Sequence, residues 1–297
     1  MVWILLGLNL LWGAETDQYW GRWIELENAH QQINQEINFR IDWALSTFNP
    51  DEGDHKSLAH ELAWALDGYI VYDRFFKWVE ENPSVPKVET RGKGVWSTLS
   101  KWISVIQHAP HEASTVKMGG VRLGTDKFSH FFTHGYYCYL DYLQGGEEAC
   151  VEYSHHTESI WYGRVTTGVF SNADMVANFE GHLFYRNLLK KVGTLEPLLQ
   201  WTDNGVLRMR EFDIRDHVNP FWDEALNTSQ FRPSVGEHFL SAILDLCPEY
   251  ERNPNLYEIS EAEDQFLRQK YSHLELLSNK AYRMSQVCSN KSSLAKI

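Results

Sequence analysis

Apolar residues recur at Ile33, Ile37, Ile41, Leu45 and Phe48, spaced by fours and a three, which marks one face of a helix over about residues 24–48. Asn49-Pro50 stops that helix, and Asp51-Glu52-Gly53-Asp54 reads as a polar turn. The same spacing through Leu58, Leu62, Leu66, Tyr69, Tyr72 and Phe76 predicts one long helix over 57–81. Residues 82–94, rich in Pro, Gly and charge, form an exposed connection, and a third helix is predicted over 95–108. The glycines at 119, 120 and 124 make 117–125 a loop. Residues 126–143 are apolar nearly all round, as a buried central helix is, and Gly145-Gly146 ends it. Residues 160–170, rich in Trp, Tyr, Val and Thr and broken by Gly163 and Gly168, predict a strand or hairpin. A helix over 173–192 follows, capped by Ser171 or Asn172, with Asp174 in its first turn. Mixed short elements occupy 194–235, and helices are predicted over 234–246 and 260–287. The class is mainly α with a small β-hairpin, with no internal repeat.

A chain of 297 residues with 43% hydrophobic and 14% aromatic content can bury a large core. We read residues 15–297 as a single domain, with a core over 115–193 and helical elaborations over 15–110 and 194–297. A net charge of −13 argues against nucleic acid and against an anionic membrane surface, and tolerates a cationic or neutral polymer. Residues 1–14 are apolar but too short to span a bilayer as a helix. They predict a secretory signal cleaved after Ala14, and so an exported protein, periplasmic or secreted, without a membrane span. In an exported chain Cys138 with Cys150, and Cys247 with Cys288, are candidate pairs, although spacing does not fix the connectivity. The absence of a CxxC pattern speaks against a zinc ribbon.

Candidate chemistry concentrates in residues 145–178. Glycosidic cleavage commonly needs one carboxylic acid held protonated and a second, ionised carboxylate. Glu147, Glu148, Glu152 and Glu158 are the candidates, with solvated surface as the bland alternative. On one straight helix Glu147 and Glu158 share a face but stand about 16 Å apart, so the pair requires a chain turn between them. Asp126, His130 and His134 lie at i, i+4 and i+8, a spacing that can present metal ligands; helix-start chemistry and core histidines explain it as well. His60-Glu61 lacks the second histidine of HExxH because position 64 is Trp, no GxSxG is present, and Gly119-Gly120 matches no phosphate loop.

The runs GTDKFSHFF (124–132), GGEEACVEYSHHTES (145–159) and TTGVFSNADMVAN (166–178) resemble the deacetylation-specific lysozymes of predatory bacteria (the DslA type), a diverged branch of the lysozyme superfamily. The resemblance implies a modified lysozyme-like fold with extra N- and C-terminal helices. It also implies a muramidase that cuts N-deacetylated peptidoglycan as a monomer without a cofactor or metal. In that reading Glu147 is the general acid and Glu158 the second carboxylate. The Glu158-Ser159 pair also resembles the acid-bearing Glu-Ser of many lytic relatives, which leaves Glu147 or Glu148 as helper. Tyr162, Thr166, Thr167 and Ser171 are the expected sugar contacts, Ser171 being equally a helix cap. Two rival readings remain open: a non-catalytic glycan-binding envelope protein, and a metal-dependent hydrolase using His130 and His134.

Overall fold

The computed structural model describes residues 15–69, 73–100, 104, 112–161, 163–277 and 280–291. The expected export segment, 1–14, and Tyr162 lie outside the described residues. The chain is mainly α with a few short antiparallel strand pairs. Among the described residues, no helix is long and apolar enough to cross a membrane.

Helix α1 (His30–Thr47) buries the face its spacing defines, Ile33, Ile37, Ile41 and Ala44. Helix α2 (His55–Leu66) opens on a capping box in which Asp54 accepts from Ser57 N–H and the Ser57 hydroxyl returns to the Asp54 N–H. The single helix expected over 57–81 is interrupted after Leu66. Gly68 takes φ +86°, and the Asp67 carboxylate accepts from the Phe75 N–H at 2.8 Å and the Thr133 hydroxyl at 2.8 Å. The periodicity therefore resumes on a separate helix α3 (Arg74–Glu81). Residues 95–98 form turns, and most of the helix expected over 95–108 lies outside the described residues. The expected loop at 117–125 is instead an antiparallel hairpin, β1 (Thr115–Met118) with β2 (Val121–Gly124). Gly119 and Gly120, at φ +57° and +98°, supply the two left-handed positions that a tight hairpin turn demands.

The centre of the molecule is built from two helices that start side by side. Lys127–Ser129 opens the first; one π turn, His130–His134, leads into helix α4 (Gly135–His156). The second is α5 (Asn172–Asn187), buried along nearly its whole length. They touch backbone to backbone: a Cβ on Gly135 would lie 2.6 Å from the Gly181 Cα, so side chains at these two positions would force the helices apart. Helix α4 does not run straight. Gly146, at φ +75°, breaks it and reverses the chain. Cys138 and Cys150, about 18 Å apart along a continuous helix, have Cα atoms 4.4 Å apart and form a disulfide. Helix α4 is thus a helical hairpin whose return arm, 147–156, runs back toward the start of both helices.

The hairpin expected over 160–170 is not formed. The return arm continues into π turns, Thr157–Trp161 and Gly163–Thr167, closed by the Gly168 N–H donating to the Gly163 carbonyl at 3.2 Å. Only β3 (Val169–Phe170) is extended, and it pairs with β6 (Gln230–Phe231). The strand-favouring residues of this stretch lost to a close backbone approach: a Cβ on Gly163 would sit 1.9 Å from the Glu158 carbonyl oxygen. Between them in the chain lies a second hairpin, β4 (Leu199–Thr202) with β5 (Gly205–Arg208). The C-terminal part holds helix α6 (Pro233–Leu244), α7 (Cys247–Arg252), α8 (Glu261–Lys270) and α9 (Met284–Ser289), so the single helix expected over 260–287 is broken. Cys247 and Cys288 join α7 to α9. Both candidate cysteine pairs are formed.

Candidate functional site: a buried carboxylate cluster around Lys127

Five segments that are distant in sequence meet where the Lys127 segment and α5 begin. The Lys127 side chain is fully buried, and its ammonium lies 2.8 Å from Asp126 Oδ2, 2.6 Å from Asp174 Oδ1 and 2.7 Å from Glu224 Oε1. Asp126 and Asp174 each stand at a helix start, where the positive end of the dipole favours a carboxylate. The return arm of α4 delivers Glu158, 2% exposed, and the start of the described chain delivers Glu15 and Thr16. The Thr16 hydroxyl donates to Asp126 Oδ1 at 2.5 Å. Ser171 ties the group together. Its N–H donates to Glu158 Oε2 at 3.3 Å, its hydroxyl accepts from the Asp174 N–H at 3.2 Å, and that hydroxyl donates to Glu224 Oε1 at 3.1 Å.

Five carboxylates face one lysine, so they cannot all ionise together. Burial pushes Glu158 well above the usual carboxylate range, and Asp174 and Glu15 add to the rise; Glu15 is raised well above it by burial, Glu224 and Asp174. Glu224 is pushed up to about 7 and Asp174 to about 6, in both cases by burial, with Lys127 holding them lower than burial alone would. Burial works against the Lys127 ammonium, but Asp126, Asp174 and Glu224 overcome it and raise that group. The cluster therefore holds protonated and ionised carboxyl groups side by side. Glu158 Oε1 is buried with no hydrogen-bond partner among the described residues. An arrangement this costly to desolvate is weak evidence for stability and better evidence for chemistry.

His130 borders the cluster, 12% exposed at its side chain, with Nε2 3.2 Å from Asp174 Oδ2. The buried Asn178 amide fixes its tautomer. Turned so that its nitrogen donates to the Asp174 and His130 main-chain carbonyls at 3.2 and 3.3 Å, the amide also points that nitrogen at His130 Nδ1, 3.0 Å away. Nδ1 is then an acceptor, and the ring proton sits on Nε2 and donates to Asp174. Burial and the neighbouring Lys127 charge pull His130 down to about 4, so the ring is neutral at pH 7. Asp126, His130 and Asp174 lie close enough to share a cation, their ligand atoms within 4.8 Å of one another. The chemistry of the set argues the other way: Nε2 carries a proton rather than a lone pair, and the Lys127 ammonium already bridges the two aspartates. His134 does not complete a metal face either. It stacks on His130 with centroids 4.9 Å apart and meets the Tyr153 hydroxyl at 3.1 Å through Nδ1. The metal-hydrolase alternative built on His130 and His134 is therefore not favoured.

Of the expected residues, Glu158 and Ser171 are in the cluster. Thr167 borders it: the buried side chain lies near Glu15 and lowers that carboxyl's pKa somewhat, and its hydroxyl donates to the Gly163 carbonyl at 3.1 Å. Thr166, half-buried, donates to the same carbonyl at 3.3 Å and does not reach the cluster. Glu147 is elsewhere. The chain does turn, but at Gly146, one residue before Glu147, so both glutamates ride on the same return arm, about 16 Å apart. Glu147 is 53% exposed and pairs with Arg186 at 2.9 Å, near the end of α5 opposite Asp174. The Glu147–Glu158 pairing is corrected accordingly; Glu148 and Glu152 are exposed on the same arm.

The residues missed in the sequence are Glu15, Thr16, Lys127, Asn178 and Glu224, while Asp174 was read only as helix-start chemistry. One signal was available: Lys127 opens a helix that is apolar nearly all round, and a lone cation in such a place requires buried anions. No protein-family model, curated protein or solved structure matches the chain.

Proposed function

We propose that the chain is a hydrolase whose acid–base centre is the cluster around Lys127, acting on N-deacetylated peptidoglycan as the lysozyme resemblance implies. The observation that carries the reading is Glu158: a fully desolvated carboxyl, kept protonated, with one oxygen unpartnered among the described residues, tied through Ser171 to Asp174. In this proposal Glu158 is the general acid. Asp174, held by Lys127 on one oxygen and the His130 N–H on the other, is the ionised second carboxylate. Glu147 has no part in the reaction. Export belongs to the same proposal, and the two disulfides support it, because such bonds persist in oxidising compartments.

The test is release of soluble fragments from purified walls, deacetylated and not. Glu158→Gln is expected to lower release from deacetylated walls by about 100-fold or more, while Glu147→Gln stays within about twofold of the parent. Full activity in folded Glu158→Gln would remove Glu158 from the mechanism. A second reading has its own observation: the cluster is almost closed to solvent and hooks Glu15 and Thr16 onto the core. In that reading the charges are a structural lock and the chain binds glycan without cutting it. Retention on walls with no fragment released would select it.

A further inference from the structure

A cavity of about 440 Å³ lies at the opposite end of α5 from the cluster, between the start of α2, the outgoing arm of α4 and the turn after α5. Its charge is unusual for this chain. Four of its lining side chains are cationic (Lys56, Arg186, Lys190 and Lys191) against one carboxylate, Asp54, in a protein that carries 27 Lys and Arg against 40 Asp and Glu. Asp54 is already engaged as the cap of α2. Lys191 pairs with Glu196, whereas Lys56 and Lys190 meet no ion-pair partner among the described residues. Arg186 contributes one nitrogen to Glu147 and His182, which leaves the remaining guanidinium donors available, and its Cζ lies 4.3 Å from the centroid of the Tyr142 ring.

The wall of the cavity is aromatic: Tyr139, Tyr142 and Tyr185 line it. The Tyr185 hydroxyl donates to the Phe132 carbonyl at 2.8 Å and is satisfied. Tyr139 is different. It is 8% exposed, its ring stacks on Tyr185 with centroids 5.9 Å apart, and its hydroxyl has no hydrogen-bond partner among the described residues. The exposure that remains includes that hydroxyl, which can donate to a ligand entering the cavity.

We propose that this cavity binds a sugar ring carrying a phosphate or carboxylate group: Lys56, Lys190 and Arg186 take the anion, the Tyr139 hydroxyl donates to it or to a ring oxygen, and the Tyr142 face packs on the ring. Aromatic rings are suited to the apolar face of a saccharide, charge-assisted bonds hold an anion, and the volume falls in the range of small-ligand sites. The site stands apart from the Lys127 cluster and does not depend on the reaction proposed there.

Calorimetric titration of the full chain with glucose-6-phosphate, galacturonic acid, inorganic phosphate and glucose tests it, and the first two separate a phosphate source from a carboxylate source. Saturable binding of one of the two anionic sugars is expected, with inorganic phosphate weaker and glucose absent. Lys56→Gln with Lys190→Gln, and separately Tyr142→Ala, should each weaken binding about tenfold. The two lysines are surface groups, so the charge variant keeps the fold. No saturable binding of either anionic sugar, binding that ignores both variants, or inorganic phosphate bound as tightly as the sugars would overturn the proposal.

Discussion

Glu158 and Glu180 are both 2% exposed, and burial pushes both upward, yet they end at opposite extremes. Glu180, in the middle of α5, receives the Lys270 ammonium at 2.7 Å and the Tyr271 hydroxyl at 2.6 Å on one oxygen, and His217 Nδ1 at 3.1 Å on the other. These donors overcome burial and hold it at about 2. Among the described residues Glu158 receives a single main-chain N–H at 3.3 Å, and Asp174 and Glu15 stand close by. The satisfied glutamate is a structural pin that fastens the α8 end to α5. The unsatisfied one keeps its proton. Burial alone does not decide what a carboxylate does; the number of donors aimed at it does.

The largest test of this contrast removes the cation from each side. Lys127→Met strands Asp126, Asp174 and Glu224 in a fully buried site, and urea unfolding at pH 7 should show a loss of about 3–5 kcal/mol. Lys270→Met removes a cation that is 38% exposed and leaves Tyr271 and His217 in place, so about 1 kcal/mol or less is expected. Equal losses would mean that the two regions are electrostatically alike.

A smaller effect, opposite in sign on the two sides, appears with pH. The folded chain keeps a proton on Glu158 that the unfolded chain has released above about pH 4.5, so this group's contribution to stability falls as pH rises. Glu158→Gln cannot ionise and should gain on the parent as pH rises above about 4.5. Glu180 is the reverse: its contribution is present above the unfolded value of 4.5 and is lost as pH falls toward about 2. The deficit of Glu180→Gln should therefore shrink on acidification. Denaturant midpoints of the three proteins across this range decide it, and parallel curves would erase the distinction.

The finest test concerns the neutral ring beside Asp174. In the parent, nitrogen-edited NMR of the histidine rings should show His130 as the Nε2–H tautomer, titrating near 4. Asn178→Asp replaces the donor toward Nδ1 with an acceptor, and should draw a proton to Nδ1 and raise the titration by about one unit or more. An Nδ1–H tautomer in the unaltered protein would show that Asn178 does not hold the ring.

The spacing at 33–48 placed the buried face of α1, and the apolar run after Asp126 announced the central helix, because helix burial is periodic and local. Ser171 as a cap and Gly146 as a break were readable for the same reason: each acts on its immediate neighbours. The break at Gly68 and the turns over 157–168 were not, since Asp67 answers to Phe75 and Thr133, and Gly168 backs onto the Val235 side chain, 2.6 Å from where a Cβ would stand.

By itself the sequence determined the buried face of α1, the central helix, the acidic balance and the presence of chemically able side chains. Only the tertiary structure decided which of them meet. Reversal at Gly146 carried Glu147 to one end of α5 and Glu158 to the other, and it was the convergence of residues 15, 126–127, 158, 174 and 224 on one buried ammonium that fixed which carboxyl groups keep their protons. A carboxyl group's acidity depends on the charges and donors within a few ångströms, and no local pattern of residues records neighbours brought in from a hundred positions away.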